Sequence, residues 1–305
     1  MNLLKNLRSV YGSLLILSVL LFGPCCYVKG ARGMGGAGGS QQEQSSYVSV
    51  AALNEYGQSV QLKNALCSSV KHGNLVVVAS CEDPASVVVC SMCRKQPGIV
   101  NSNPRVIQVL SKSDDGDFTS SQSCCAIVCS GFKPDAILMI RLLREYARRN
   151  WEFYDEVSTC ERMANAASSI CLKFMGYGDD EEISDNAGPP IIDEDFSMAR
   201  PFGVSSLVIE VQRVAPGIGR ASIISVDPSG IQEAWIANAL GRGSEEARKK
   251  LEIQWKPKLS LKETKEMCRK IVCDAFGEIE RQDDCEIVCE VLSEAGSTIE
   301  SSIIS

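Results

Sequence analysis

The side chains best suited to bind a metal ion in this sequence are cysteines. There are 15 of them, together with a single histidine, His72. Cys90 and Cys93 have the two-residue spacing with which many zinc sites begin, but no second pair follows at zinc-ribbon spacing. Cys285 and Cys289 fall on one face of a later predicted strand. Because thiols in apolar runs behave as small buried hydrophobic side chains, we predict core packing here, with no metal and no cofactor, and a surface position for the histidine.

Composition restricts the partners of the chain. Of the 305 residues, 45% are hydrophobic and 23% are charged, which is ordinary for a globular protein. The net charge of −7 argues against nucleic acid or an anionic membrane surface as the main partner. The cysteines are odd in number and dispersed, so they do not suggest a disulfide scaffold and favour a reducing compartment.

The N-terminal residues differ from the rest, and we interpret 1–46 as a leader and flexible linker. Two basic residues precede the apolar run Ser13–Leu21, so residues 10–27 resemble a signal peptide and point towards a secretory route. The run is short for a membrane span, and we expect no membrane partner. Met34, followed by a Gly/Ser/Gln-rich stretch at 35–46, is an alternative start.

Residues 47–293 are interpreted as one domain, with an acidic surface insertion at 176–198 and a polar C-terminal tail at 294–305. Hydrophobic periodicity and turn residues predict its elements. The predicted helices cover 60–70, 133–150, 260–276 and segments beginning near 158 and 244; the predicted strands cover 74–80, 85–92, 105–110, 124–129, 204–211, 223–226, 232–237 and 285–291.

Two of the predicted helices begin with the spacing of a capping box, Ser158 with Glu161 and Ser260 with Glu263. In chain order, runs of strands alternate with pairs of helices. This order predicts an α+β fold, a four-layer αββα sandwich in which two antiparallel sheets lie face to face with a helix pair outside each.

The most informative stretch is 199–244. Arg200-Pro-Phe-Gly-Val204 opens a run of β-branched residues, and Asp227-Pro-Ser-Gly230 has the residues of a tight turn between two strands of a hairpin. Gly241-Arg-Gly-Ser244 then leads into a helix that Ser244 would cap. Two glutamates follow in the first turn, where carboxylates suit the helix dipole.

These three motifs, in this order and with this spacing, resemble the α-type subunits of the proteasome core particle. The resemblance is specific over 199–251 and extends more weakly over the chain beyond about Leu53. It implies the same four-layer sandwich, that of the N-terminal-nucleophile hydrolases. It also implies a structural place in an outer heteroheptameric ring that takes part in ATP- and ubiquitin-dependent protein degradation, in the cytoplasm and nucleus. The implied partners are other α-type subunits, β-type subunits and regulatory caps.

The resemblance also implies that the chain is not an enzyme. Active members of the fold use a threonine exposed as a new N-terminus, whose amine serves as the base. The corresponding junction here is His72-Gly73-Asn74-Leu75, with no threonine or serine. The segment before it is predicted to be a helix that is kept, as in the α-type subunits, so we expect no catalytic residue.

The α-type entrance is matched only in part. Its gate-ordering Tyr-Asp-Arg is replaced by Tyr47-Val-Ser49, so a role in pore gating is not expected. The family docks the C-terminal tails of caps using a glycine that ends the first helix and a lysine after the second strand. Gly73 matches the glycine, and Arg94 or Lys95 could supply the cation for a tail carboxylate.

Two alternatives remain open at this point. One is an active amidohydrolase of the same fold, which processing to an N-terminal nucleophile would reveal. The other is a secreted or membrane-tethered interaction protein, which Ser13–Leu21 alone favours and which paired thiols would support.

Overall fold

The computed structural model describes residues 53, 57, 59–94, 106–112, 123–176, 200–215, 218–276, 285–294 and 296–303, all within the unit 47–305. These residues form ten strands in two antiparallel sheets. In order across the sheet, the first consists of β10 (Gly296–Ile303), β9 (Cys285–Ser293), β2 (Ala85–Arg94), β1 (Val76–Glu82) and β8 (Ala237–Leu240). The second consists of β3 (Gln108–Lys112), β4 (Ser123–Gly131), β5 (Val204–Ala215), β6 (Ile218–Val226) and β7 (Gln232–Trp235).

The strand residues alternate between two faces, and this period of two builds three hydrophobic layers. One layer lies between the sheets and includes Val78, Val89, Val128 and Leu207. The second lies between the first sheet and the helices α4 (Ser244–Gln254) and α5 (Leu261–Phe276). The third lies between the second sheet and the helices α2 (Lys133–Tyr154) and α3 (Cys160–Phe174). The predicted four-layer αββα sandwich is confirmed.

The remaining described helix, α1 (Val60–His72), belongs to neither helix pair. It contacts β4 and β5 of the second sheet and leads through Gly73 directly towards β1 of the first sheet. The side chain of Ser59 accepts a hydrogen bond from the Leu62 N–H at its N-terminus, which satisfies one of the free donors of the first turn. The helix therefore lies across one end of the sandwich and connects its two sheets.

One of the two predicted capping boxes is confirmed and the other is wrong. Ser260 Oγ accepts from the Glu263 N–H at 3.3 Å, while the Glu263 carboxylate accepts from the Ser260 N–H at 2.9 Å. At α3 the cap is instead Thr159, whose Oγ1 accepts from the Arg162 N–H. Ser158, one residue earlier, is buried outside the helix. The cap of α4 is likewise displaced by one residue, to Gly243, with φ of 82°.

The hairpin predicted after Asp227 is present, because the Gly230 N–H donates to the Asp227 carbonyl and β6 pairs with β7. Its second strand is shorter than predicted. The chain leaves the second sheet after Trp235, and Ala237–Leu240 forms β8 beside β1 in the first sheet. The predicted segment 232–237 therefore bridges both sheets, a crossing that the apolar pattern could not reveal.

The expectation of a tail beyond the last strand is also wrong, because residues 296–303 form β10 and pair with β9 along its whole length. Its polar sequence is compatible with an edge strand that has only one hydrogen-bonded neighbour. No helix in the described part of the chain is long and apolar enough to cross a membrane. The predicted leader at 1–46, with its signal-like segment 10–27 and Met34, lies outside the described residues, as does almost all of the acidic insertion at 176–198.

Candidate functional site: the junction of the first helix and first strand

The junction His72-Gly73-Asn74-Leu75 is where the family's catalytic members would begin their chain. Here the backbone runs without a break from α1 through Gly73 into β1. Gly73 is extended, with φ of −75° and ψ of 144°, so it ends the helix without a left-handed turn. The side chains of His72 and Asn74 are exposed, whereas Gly73 and Leu75 are buried.

Three successive backbone carbonyls of this junction are hydrogen-bonded to three other segments. The Gly73 carbonyl accepts from the Arg242 N–H at 3.1 Å. The Asn74 carbonyl accepts from Ser130 Oγ at 2.7 Å, and the Leu75 carbonyl accepts from Ser91 Oγ at 3.0 Å. Buried carbonyls that are paired in this way fix the chain path, because freeing them exposes unsatisfied acceptors.

Two glycines permit the close approach of these segments. A Cβ on Gly73 would lie 2.2 Å from Ser130 Oγ, 2.6 Å from the Ser69 carbonyl oxygen and 2.7 Å from the Gly131 nitrogen. A Cβ on Gly241, which has φ of +85°, would lie 2.1 Å from the Asn74 carbonyl oxygen. Both positions therefore exclude a side chain, the second also because its backbone is left-handed.

A groove of about 1110 Å³ opens beside the junction. Its described lining includes His72 and Asn74 at the junction, and Arg144 and Arg148 on α2. Arg144 is engaged by the edge strand β3, where Nε donates to the Val109 carbonyl at 3.1 Å, and Arg148 pairs with glutamates of its own helix. At the junction itself the groove is lined by the Asn74 amide and the His72 imidazole, whereas the hydroxyls of Ser91 and Ser130 donate to the junction carbonyls.

The backbone brings two of the three residues proposed for a cap-tail pocket to the same end of the first sheet. Gly73 precedes β1, and Arg94 is the last residue of β2. In the antiparallel register Val76 lies opposite Ser91, so the start of β1 and the end of β2 are at the same end of the sheet. Lys95 lies outside the described residues.

The cysteine spacing does not bring the paired thiols together. Cys90 is fully buried against the α4–α5 layer, whereas Cys93 is half-buried and lines the groove. Residues three apart on a strand point to opposite faces, so a two-residue spacing in β2 separates the two sulfurs. The predicted core packing of Cys90 and Cys289 is confirmed, as is the exposed position of His72.

The segment Arg200-Pro-Phe-Gly-Val204 is held against the start of α2 by Asp135. The carboxylate of Asp135, itself buried, accepts from both terminal nitrogens of Arg200 at 2.7 Å and from the Gly203 N–H at 2.9 Å. Phe202 stacks on Phe174 of α3, with ring centroids 4.0 Å apart. The motif therefore positions the first residue of β5 beside the junction.

Several residues of this site were missed in the sequence. Ser130, Gly131 and Asp135 lie at the end of β4 and the start of α2, and Gly241 lies at the end of β8. The run Gly131-Phe-Lys-Pro-Asp135 carried a usable signal, because a glycine followed by proline near a helix start marks a fixed turn. Nothing local indicated that Ser130 would reach the Asn74 carbonyl.

Comparisons with known proteins agree with this geometry. Residues 195–290 match the family model described as "Proteasome subunit". The chain is 32% identical over 134 residues to the proteasome subunit alpha type-5 of Drosophila melanogaster, which covers 44% of this chain and 48% of that protein. It is 28% identical over 131 residues to the alpha type-7 subunit of Cicer arietinum, covering 43% of this chain and 44% of the relative.

A third relative is the probable alpha type-5 subunit of Schizosaccharomyces pombe, 28% identical over 148 residues, or 48% of this chain and 52% of that protein. The chain spans about half the length of the curated relatives it matches. The matched region contains the segment that Asp135 anchors, the hairpin at Asp227 and Gly241. In the family match, in the α-type relatives and in its two-sheet sandwich, the chain is similar to proteasome subunits and to their α-type members.

Proposed function

We propose that the chain is a structural, non-catalytic α-type subunit of a proteasome core particle. The observation that carries this proposal is the fixed junction at Gly73–Leu75, whose three carbonyls are each hydrogen-bonded while the chain continues into α1. A catalytic member needs a free amine and a hydroxyl nucleophile at this point. Asn74 offers an amide side chain and a peptide nitrogen, neither of which serves as a nucleophile or base.

In this role the chain assembles with other α-type and β-type subunits in an outer ring. It thereby takes part in ATP- and ubiquitin-dependent protein breakdown in the cytoplasm and nucleus. Exposed apolar side chains on the described surface, among them Ile137, Phe153 and Ile253, provide area for contacts between subunits.

Assembly is tested by placing an affinity tag on the chain in cells of its native source and purifying it under non-denaturing conditions. We expect co-purification of α-type and β-type subunits in a particle of fixed stoichiometry. Mass mapping of the same sample determines the N-terminus of the chain. Recovery of the chain alone, or of a chain cut between Gly73 and Asn74, contradicts the proposal.

The absence of catalysis is tested by Asn74→Ala in the assembled particle. Because the Asn74 side chain is exposed and its carbonyl makes the structural contact, we expect unchanged assembly and unchanged peptide hydrolysis. A particle that assembles normally but loses hydrolysis with this substitution shows that the residue acts in chemistry.

We further propose that Gly73, Arg94 and Lys95 contribute to a pocket for the C-terminal tail of a regulatory cap. The proposal is supported by the position of Gly73 and Arg94 at the same end of the first sheet. The variants Arg94→Ala and Lys95→Ala should reduce the stimulation of hydrolysis by a cap without altering the basal rate. Lys112→Ala, which removes an exposed cation at the end of the edge strand β3, is the matched control. Equal stimulation in all three variants contradicts this assignment.

A further inference from the structure

Three thiols meet on the face of the first sheet that α5 covers. Cys90 on β2 and Cys289 on β9 are direct partners across the antiparallel ladder. Cys268 on α5 belongs to the same hydrophobic cluster, and its proximity raises the pKa of Cys90. All three side chains are fully buried. The proposed ring-subunit role uses none of them.

The positions of Cys90 and Cys289 meet the geometric requirements of a covalent bond. Their sulfur atoms are 2.8 Å apart. Residues directly opposite each other in an antiparallel pair have Cα atoms about 4.5–5.5 Å apart, and this lies inside the range of about 4.4–6.8 Å that disulfides span. A bond between them therefore requires a small side-chain rotation and no rearrangement of the backbone.

Other neighbouring cysteines do not share this arrangement. Cys124 and Cys125 are consecutive on β4, so their side chains lie on opposite faces of the second sheet, one between the sheets and one against α3. Cys90 and Cys93 are separated in the same way. Cys67 on α1 is exposed. The cross-strand register thus distinguishes Cys90 and Cys289 from these other thiols.

We propose that Cys90 and Cys289 form a reversible disulfide between β2 and β9 when the chain meets a small disulfide oxidant such as oxidised glutathione. The thiolate of one cysteine attacks a sulfur of the oxidant, which forms a mixed disulfide and releases one glutathione thiolate. The thiolate of the second cysteine then attacks the protein sulfur of the mixed disulfide and releases the second glutathione. Two protein thiols are oxidised, and one glutathione disulfide is reduced to two thiols.

The packing of α5 controls this reaction. The neighbouring Cys268 thiol and burial raise the pKa of Cys90, and the neighbouring Cys90 thiol and burial raise the pKa of Cys289, so the reactive thiolate is scarce in the closed fold. The oxidant reaches the pair only when α5 moves away from the sheet, and Cys268 leaves with it. Oxidation should therefore be slow in buffer and faster in urea concentrations below the unfolding transition.

The test uses the reduced full-length chain incubated with oxidised glutathione at several sub-denaturing urea concentrations. Free thiols are then blocked by alkylation, and linked peptides are mapped by mass spectrometry. We expect one dominant linked pair, Cys90 with Cys289, whose yield increases several-fold with urea. Cys67 should carry glutathione at every urea concentration, which verifies that the oxidant has reacted.

Two variants separate the pair from its neighbour. Cys268→Ala should retain the link, whereas Cys289→Ala should lose it and leave Cys90 as a mixed disulfide. The oxidised wild-type chain should also unfold at a higher urea concentration than the reduced chain, because the bond restricts the unfolded state. Absence of the Cys90–Cys289 link while Cys67 is modified, or a dominant link between Cys90 and Cys268, overturns the proposal. Both outcomes are read from the wild-type chain, so they do not depend on the folding of a variant.

Discussion

Arg200 and Asp135 form a bidentate ion pair, in which the two terminal guanidinium nitrogens each donate to a different carboxylate oxygen at 2.7 Å. The partners differ in exposure, because the Asp135 side chain is 7% exposed and the Arg200 side chain is 52% exposed. The pKa of Arg200 is raised by this pairing. The buried carboxylate also accepts from the Gly203 N–H, so Asp135 holds both the arginine and the backbone that precedes β5.

This asymmetry predicts unequal effects of removing the two partners. Asp135→Ala leaves the buried Gly203 N–H without its acceptor and leaves Arg200 with only the Pro201 carbonyl, and we expect a loss of about 2–3 kcal/mol in the free energy of unfolding. Arg200→Ala leaves a carboxylate that still accepts from Gly203, and we expect a loss of about 1 kcal/mol because the arginine is half exposed. Urea unfolding measures both values.

The exposed pair Lys249–Glu246 on α4 provides the control. Lys249→Ala should leave the unfolding midpoint unchanged, because both side chains are solvated. If Arg200→Ala lowers the free energy of unfolding as much as Asp135→Ala does, the hydrogen bond from Gly203 to Asp135 does not add to stability.

Gly73→Ala should destabilise the chain by about 2 kcal/mol or more, because the added methyl group overlaps atoms of three residues, Ser69, Ser130 and Gly131. Gly73 has an ordinary extended φ of −75°, so the cost is steric and not a cost of backbone conformation. The measurement is again urea unfolding of the full chain.

The double variant Gly73→Ala/Ser130→Ala tests the source of that cost. Ser130→Ala removes the nearest overlapping atom, but the Ser69 carbonyl oxygen and the Gly131 nitrogen remain at 2.6 and 2.7 Å from the new Cβ. We therefore expect little rescue. A double variant as stable as Ser130→Ala alone would show that the backbone at this junction shifts to accommodate the added methyl group.

Glu210 predicts a particular pH dependence of stability. Burial raises the pKa of this β5 carboxyl, although its hydrogen bond from the Cys160 N–H acts in the opposite direction. A carboxyl whose pKa is higher in the folded state than the usual value of about 4.3 binds its proton more tightly when folded. Stability should therefore fall as the pH rises from the unfolded pKa through the folded one, and it stays lower above that window.

Glu210→Gln should remove this fall in stability with rising pH and should raise stability at neutral pH. The amide oxygen of the glutamine can still accept from the Cys160 N–H. Glu263 is the control with the opposite sign, since hydrogen bonds from Ser260 lower its pKa. Glu263→Gln should reduce stability at neutral pH and have less effect in acid. Urea unfolding between about pH 4 and 7 distinguishes the two cases. Identical pH profiles for the wild-type chain and Glu210→Gln would contradict the role of burial.

The two serines of the predicted capping boxes should respond differently to alanine. Ser260→Ala removes a cap that is present and should cost about 1 kcal/mol. Ser158 Oγ is buried without a hydrogen-bond partner among the described residues, so Ser158→Ala should be neutral or slightly stabilising. Thr159→Ala, which removes the actual cap of α3, should resemble Ser260→Ala. Chemical denaturation of the three variants provides the comparison.

Local sequence was enough to predict most of the elements, although it missed β10 and the division of 232–240 into β7 and β8. The β-branched runs, the Asp227–Gly230 turn and the Ser260 capping box act over a few residues, where periodicity and turn chemistry are decisive. The same local patterns identified Cys90 and Cys289 as core residues, whereas the family resemblance placed Asn74 at the junction. The prediction from local patterns was wrong at Ser158. Ser158 and Thr159 are adjacent hydroxyl residues that could each cap α3, and in the folded chain the cap is Thr159.

Only the tertiary structure decided which distant segments meet. The crossing of the chain at Ile236, the pairing of β10 with β9, and the contact of Ser130 with Asn74 all join residues that no local pattern connects. The same holds for the ion pair between Asp135 and Arg200 and for the cross-strand register of Cys90 with Cys289. Sheet order and register depend on the summed burial of whole layers. A sequence therefore predicts which residues must be buried, and the folded chain selects their partners.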